Sequence, residues 1–551
     1  MIPGSTRRVP KLALALAGAA VVVVVVVVVL VASGGSSDDN DQASAPKPAS
    51  TSAAKQPDAA TPAAPKAAKP SPTGSAVPNG DLSNTRDIKG PITAATVGRL
   101  KAAWTLPFGQ ESASQYGSYA ATPVIVGGVI YSQDLASNVS ALDLKTGEVL
   151  WSTSYSSPDQ GPNGVNVGGG RVYGATADSA FALDQKTGKE LWSVPLIRNS
   201  GEGIDMAPGF HEGLVYVSTV PGNNGKFYNE GTKGILWALD AKTGKKKWSF
   251  DTAPTKTWSK ANADVNLGGG LWHTPSFDAA GGMYFGVGNP GPFPGTDDHP
   301  WGSGRPGKNL YTNSLVKLNA KTGKLQWYYQ LTPHDIYDWD LQDPPILAKV
   351  KGRPAVIEAG KSGIVIAVDR ASGKLLWKRP VGRHNGHDDD PALAAKGKYS
   401  KLQLNQEIYP GRLGGVIAPM ATDGKYVFAP VVNNSVTWTT QTEAGARDGQ
   451  TSTGEVTAVD LNSGKVKWTR EFPTPAFGAT TVTNDVVFAT TFDGILHALS
   501  AKTGKVLWEQ QLPAATNTGV MVHDDMVIAP AGLAAGQGQT PGITAYRLSG
   551  K

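Results

Sequence analysis

Cysteine is missing altogether from the 551 residues. Its absence excludes disulfide bridges, thiolate metal sites, a cysteine nucleophile, covalent c-type haem and a lipidated cysteine anchor. Charge is also scarce: Asp, Glu, Lys and Arg make up 17% of the chain, with a net charge of +6. That balance is weak for the length, and no clustered basic motif accompanies it, so nucleic acid is not an expected partner. Gly (66), Pro (39) and Trp (14) are plentiful, and 40% of residues are hydrophobic. Turn formers and aromatics at that level fit an all-β protein with a large core better than a helical one. Length alone, at about 150 residues per domain, suggests three or four domains.

The one long apolar run lies at the start. Arg7, Arg8 and Lys11 precede an uncharged stretch, 12–32, with an unbroken valine run at 21–29, and Asp38, Asp39 and Asp41 follow it. About 20 apolar residues are enough to cross a bilayer as a helix. The positive-inside rule then puts the basic segment 1–11 in the cytoplasm and the rest outside. The expectation is an uncleaved transmembrane helix over 12–32. The alternative is a signal peptide cleaved near Val31-Ala32-Ser33, although the run exceeds the usual apolar region of roughly 7–15 residues. Residues 33–80 are Ala, Pro, Ser, Thr and Lys with almost no large apolar side chain. Such a tract cannot bury a core and is expected to be a disordered linker. The working part is then 81–551, on the extracytoplasmic side of the cell membrane.

Internal repetition decides the fold class. ALDLKTGEVLW ends at Trp151, ALDQKTGKELW at Trp192, ALDAKTGKKKW at Trp248 and KLNAKTGKLQW at Trp327; AVDRASGKLLW ends at Trp377, AVDLNSGKVKW at Trp468 and ALSAKTGKVLW at Trp508. Each copy is an alternating strand, a turn with Thr-Gly or Ser-Gly, a second strand and a Trp, which reads as a β-hairpin. The invariant place of the Trp, four residues after the Gly, predicts packing between neighbouring units. An eighth copy is split: ITAYRLSGK at the C-terminus is its first half, and LKAAWTLPF, with Trp104, supplies the second. Seven whole copies and one shared between the ends predict a closed eight-bladed β-propeller at 81–551, an architecture that leaves few sheet edges exposed. Two intervals between copies are much longer than the others. Loops on a rigid scaffold carry function.

Several segments resemble the quinoprotein alcohol dehydrogenases that use pyrroloquinoline quinone. The Trp-ended hairpins are similar to the tryptophan-docking motifs of that family. GGGLWHTPSFD, GNPGPF, RPGKNLYTNSLVKLNAKTG, YYQLTPHDIYDWD and EAGKSGIVIAVDR follow in the family's order. The resemblance implies that Trp272 stacks under the quinone, that Lys361 hydrogen-bonds its oxygens and that Asp338 is the catalytic base beside the metal. It implies Asn289, Asp338 and Asp340 as metal ligands, with Asp340 going with a lanthanide rather than Ca²⁺. Glu230, with a one-residue shift, takes the place of the family's metal-binding Glu; without the shift Asn229 stands there. Asn163 stands where the family has an Arg that helps hold the quinone carboxylates. The family's vicinal cysteines are absent, and its Asn-Trp contact is replaced near Val416 and Ile417. An alcohol or sugar as substrate and a separate electron acceptor follow from the same resemblance.

The same residues also have plain structural readings. Asp338 and Asp340 suit turns, Trp272 suits a core, Asn289 a Gly-Asn-Pro turn, Lys361 a solvated turn and Glu230 a surface loop. The second function is accordingly a non-catalytic propeller serving as an envelope scaffold or protein-binding platform. TPHDIYDWD together with AGKSG favours the dehydrogenase, because a scaffold has no need for both.

Overall fold

A computed structural model of the chain describes residues 76–108, 114, 116–221, 232–258, 264–535 and 538–550. All of them belong to the unit of residues 64–551. The expected anchor at 12–32, nearly all of the expected linker, and Glu230 lie outside the described residues. Among the described residues no helix is long and apolar enough to cross a membrane.

The hairpin sentence folds as written, with one addition. In the copy ending at Trp192, Asp184 Oδ1 accepts the Lys186 and Thr187 N–H groups at 3.1 and 3.0 Å and the Thr187 hydroxyl at 2.9 Å. The Gly188 N–H donates to Asp184 O at 2.9 Å, and Gly188 has φ +70°. This is why the copies keep an Asp, Asn or Ser, then Thr or Ser, then Gly. The addition is a one-residue bulge: the register shifts between Ala182 and Leu183, so Trp192 faces Ala182 while Glu190 faces Leu183. The same shift recurs in the other six hairpins and at Trp104. Bulges re-aim side chains, and here the residue after the bulge is always the Trp.

The hairpins sit within eight four-stranded antiparallel sheets. Seven are built from consecutive stretches of chain. The eighth pairs Leu100–Pro107 with Gly542–Leu548, so the predicted split copy is real. Each Trp reaches the next sheet. Trp104, Trp151, Trp192, Trp327, Trp377 and Trp468 donate their indole N–H groups to turn carbonyls of the following hairpin, at 2.9–3.2 Å. Trp248 lies over the turn glycine of the next hairpin, and Trp508 meets Tyr546 edge-on at 5.7 Å. These contacts run from sheet to sheet and return to the start, giving a propeller-like all-β unit. The only α-helix among the described residues is Asp390–Ala395.

The described residues start at Ala76, inside the expected linker, and this first segment ties the inner strands together. Ala76, Leu82, Ser83, Thr85 and Arg86 offer carbonyls to the N–H groups of Val167, Phe277, Leu347, Thr422 and Val482, in five different sheets. Arg86 is 1% exposed. Its guanidinium donates to Thr480 O, Pro78 O, Asn79 Oδ1, Thr481 Oγ1 and Val520 O. Burial without a carboxylate lowers its pKa to about 9.

In all seven complete turns a Cβ on the glycine would come within 3 Å of the preceding sheet's indole. Gly188→Ala therefore meets both backbone strain and the Trp151 ring. Gly127, at φ +61° with open space around it, meets strain alone. We expect Gly127→Ala to cost about 1–2 kcal/mol and Gly188→Ala about 1–3 kcal/mol more, read from urea denaturation of the full chain. Equal losses would show that the indole is not the constraint.

Candidate functional site

The loop from Leu331 to Pro345, between one sheet's outer strand and the next sheet's inner strand, carries TPHDIYDWD. Asp335 shapes it. Its fully buried carboxylate accepts the Tyr337 N–H at 2.8 Å, the Trp339 N–H at 2.5 Å and Asn313 Nδ2 at 3.2 Å. Asn313 Nδ2 also donates to Trp339 O at 2.5 Å. Arg305, likewise buried, donates to Asp335 O at 2.6 Å and to Asn309 Oδ1 at 2.6 Å. The loop so held puts Asp338 at φ +65°, a conformation that Asp and Asn tolerate better than other non-glycine residues. Burial is the main cause that raises the Asp335 pKa to about 6. His334, whose pKa burial lowers to about 3, is a neutral ring between Gly307 O and Trp301 O and donates to one of them. It holds the loop and is not a base.

Asp338 and Asp340 converge on Lys361. The ammonium lies 2.9 Å from Asp338 Oδ2 and 2.7 Å from Asp340 Oδ2, with Lys361 12% and Asp340 1% exposed. The Lys361 N–H also donates to Asp340 O at 2.9 Å. Two carboxyl groups face one ammonium. Burial pushes the Asp338 pKa well above the carboxylate range, against the pull of Lys361. Burial would lower the Lys361 pKa, but the two carboxylates outweigh it and raise it.

A second loop pair brings in Asn289 and Trp272. Leu267–Gly268 pairs with Pro290–Gly291, and the Gly288 N–H donates to Gly270 O at 2.9 Å. The Asn289 N–H donates to Asp340 Oδ1 at 2.6 Å. A Cβ at Gly288 would stand 3.1 Å from Asp340 Oδ1, 3.2 Å from Trp272 Nε1 and 3.3 Å from Gly269 O. Trp272, Asn289, Asp338, Asp340 and Lys361 thus belong to one group. A third loop closes on it: the Val416 N–H donates to Gly360 O at 3.0 Å, and Gly415 packs on the Lys361 backbone.

Asn163 has a different setting. Its Nδ2 donates to Asp134 O at 2.7 Å, its Oδ1 is buried without a partner, and among the described residues no hydrogen bond ties it to the Asp338 group. Among the described residues no three His, Asp or Glu side chains are placed to hold a metal. Sequence reasoning did not reach Asp335, Arg305 or Asn313, although Asp335 is inside TPHD. It also missed Arg412, which is paired with Asp448 at 2.8 Å and whose pKa is raised in part by the charge of Asp338. The two long intervals meet here: Phe293 and Trp301 from one, and Ala394, Leu402, Ile408, Val436 and Trp438 from the other, pack on Ile336, Tyr337 and Trp339.

Residues 88–166 and 199–386 match the family of glucose/ethanol/alcohol dehydrogenase β-propeller domains. Residues 430–551 match the family of the outer membrane protein assembly factor BamB. A quinohemoprotein alcohol dehydrogenase of Comamonas testosteroni is 31% identical over 474 residues, 74% of this chain and 64% of that protein. Quinohemoprotein alcohol dehydrogenase ADH-IIG of Pseudomonas putida is 30% identical over 324 residues, 53% of this chain and 43% of that protein. The chain therefore spans less than two thirds of these relatives' length. The solved structure of ADHIIG from Pseudomonas putida HK5 has a TM-score of 0.75 at 24% identity, covering 87% of this chain and 81% of that one, and shares the fold.

Asp335 yields a pH test. As an acid with a raised folded pKa, it binds more protons folded than unfolded between about pH 4 and 6, so its contribution to stability falls as pH rises through that window. The stability gap between wild type and Asp335→Asn should narrow from pH 4 to pH 6 and then level off, as measured by thermal unfolding. A widening gap would refute the assignment. The matched residues and the curated relatives agree on one likeness: the chain is similar to the PQQ-dependent alcohol dehydrogenases.

Proposed function

We propose that the chain is a quinoprotein dehydrogenase that oxidises an alcohol or a sugar with pyrroloquinoline quinone and a hard cation, Ca²⁺ or a lanthanide. The convergence of Asp338, Asp340, Lys361, Asn289 and Trp272 from separate loops carries this reading. The donor chemistry fits such a cation: two carboxylates and an amide oxygen are hard ligands. Gly288 leaves open the space between Asp340 Oδ1, Trp272 Nε1 and Gly269 O. Trp272, half-buried, offers indole surface to a planar ring system. Glu230 would complete the ligand set. Asn163 brings no positive charge for the quinone carboxylates.

When bound, the quinone supplies a two-electron acceptor and the cation a Lewis acid beside it. The protein does the rest. Asp338 accepts the substrate hydroxyl proton, and its raised pKa makes it a stronger base than a free carboxylate. Lys361 aims Asp338 and offsets its charge. The apolar packing over Tyr337 and Trp339 keeps water from the loop. With no Cys for a thioether bond, electrons pass to a separate acceptor.

The eight sheets are read as the blades of one closed ring, held at the extracytoplasmic face of the membrane by the helix at 12–32 and the linker after it. The cyclic Trp contacts support the first part, and the basic, apolar, acidic order of residues 7–41 supports the second. The match of residues 430–551 to an assembly factor favours a scaffold role for that part alone, since the Asp338 group lies outside it.

Titrating the full chain with the quinone and Ca²⁺ or La³⁺ should quench Trp fluorescence at micromolar concentrations. Dye reduction should follow with a member of an alcohol and sugar panel. Asp338→Asn should keep the fold and quinone binding and lower kcat at least about 100-fold. No quinone binding with either metal would overturn the proposal.

A further inference from the structure

Just beyond the Asp338–Asp340 loop lies a pair of carboxyls that the proposed reaction does not use. Asp343 is 1% exposed and Glu358 0%. None of their four oxygens has a hydrogen-bond partner among the described residues. The Asp343 N–H donates to Ala359 O at 3.3 Å, so Asp343 stands beside the strand end that carries Glu358. The facing sheet makes room at Gly286, where a Cβ would overlap both Glu358 Oε1 and Leu341 O. A carboxyl oxygen and a carbonyl oxygen therefore meet at one point between the two sheets.

An independent polar atom faces the same interface. Ser276 pairs with Tyr284 across its sheet. By strand alternation Ser276, Tyr284 and Gly286 share one face. Tyr284 packs with Leu341, Leu347 and Val356, so that face is turned to the sheet bearing Glu358. Ser276 is fully buried, and its Oγ has no partner.

Three other buried charges are answered: Lys361 by two carboxylates, Arg86 by five acceptors and Asp335 by three donors. Between these two sheets oxygen meets only oxygen. Burial pushes Asp343 well up, and burial together with the Asp343 charge does the same to Glu358. Protons could neutralise the pair, with Leu341 O and the neighbouring carboxyl as acceptors, but would leave the remaining buried carboxyl oxygens without donors, a costly state. A hard divalent cation answers both carboxylates and accepts carbonyl and hydroxyl oxygens as well.

We propose that Asp343 and Glu358, with Leu341 O and Ser276 Oγ, bind a hard divalent cation of the Ca²⁺ class between the two sheets, at a site separate from the Asp338 group. The cation would fasten the end of the catalytic loop to the strand that leads to Lys361. This proposal stands whether or not the quinone binds.

The test uses Ca²⁺ alone, with the chelator-treated full chain and no quinone. Equilibrium dialysis should show one bound equivalent that survives Asp340→Asn and is lost in Glu358→Gln and in Asp343→Asn. Ca²⁺ should raise the unfolding midpoint of wild type and of Asp340→Asn but not of Glu358→Gln. Ser276→Ala, a milder change, should weaken Ca²⁺ binding roughly tenfold with the fold intact by circular dichroism. The proposal fails if wild type binds no Ca²⁺ at this site, if Glu358→Gln keeps the same stoichiometry as Asp340→Asn, or if Ser276→Ala binds as wild type does. A proton-sharing acid pair would show itself as a Ca²⁺-independent midpoint that the amide substitutions leave level or raise.

Discussion

An indole lying on a bare glycine is the contact on which the rest of this structure depends. A four-stranded sheet buries neither of its faces alone, and seven of the eight sheets here are docked to the next by a Trp resting over the following turn, the eighth by Trp508 against Tyr546. That turn must be left-handed and must lack a Cβ. One residue type meets both demands, which is why Thr-Gly or Ser-Gly recurs in every hairpin. The bulge before each Trp sets the angle at which the ring leaves its strand. The docking needs only the hairpin, so chain between hairpins is free to lengthen, and at two places it does.

Those longer stretches come together over the Asp335 loop. The candidate site is therefore made of irregular backbone held by buried polar contacts rather than by strands. Asp335, Asn313 and Arg305 fix the loop, and the loop fixes Asp338 in an unusual conformation beside Lys361. Placing two carboxylates and one ammonium out of water is expensive, and removing one member of such a group typically costs about 3–5 kcal/mol. An arrangement of that kind persists because the scaffold around it is rigid. The axial segment from Ala76 to Arg86 contributes to that rigidity by bonding to the inner strands of five sheets.

The repeat was legible because its signal is local and recurs: seven hairpins, the divided eighth sheet and the docking role of the Trp all follow from a few residues each. It also replaces the three or four domains suggested by length with one unit for the described residues. The bulge was not legible, since a one-residue register shift leaves the alternation of the flanking residues intact. The grouping of Trp272, Asn289, Asp338, Asp340 and Lys361 was anticipated through family likeness, not through periodicity. Asp335 and Arg305 went unnoticed because their importance lies in burial and in partners 20 to 30 residues away. Asp343 lies outside the segments that carry the family likeness, and Glu358, although it opens EAGKSGIVIAVDR, has no role assigned there. Only the three-dimensional neighbourhood shows that their oxygens lack donors.

Thr105 and Thr544 share a hydroxyl contact across 439 residues of chain. Strand Leu100–Pro107 leaves the ribosome hundreds of residues before Gly542–Leu548, the strand it pairs with. Until that strand emerges the first strand has no partner, and the unit stays open beside it. Completion of the fold thus waits for strand Gly542–Leu548, and a chain that stops short of it retains an unpaired edge on each side of the gap, the kind of surface on which nascent chains associate.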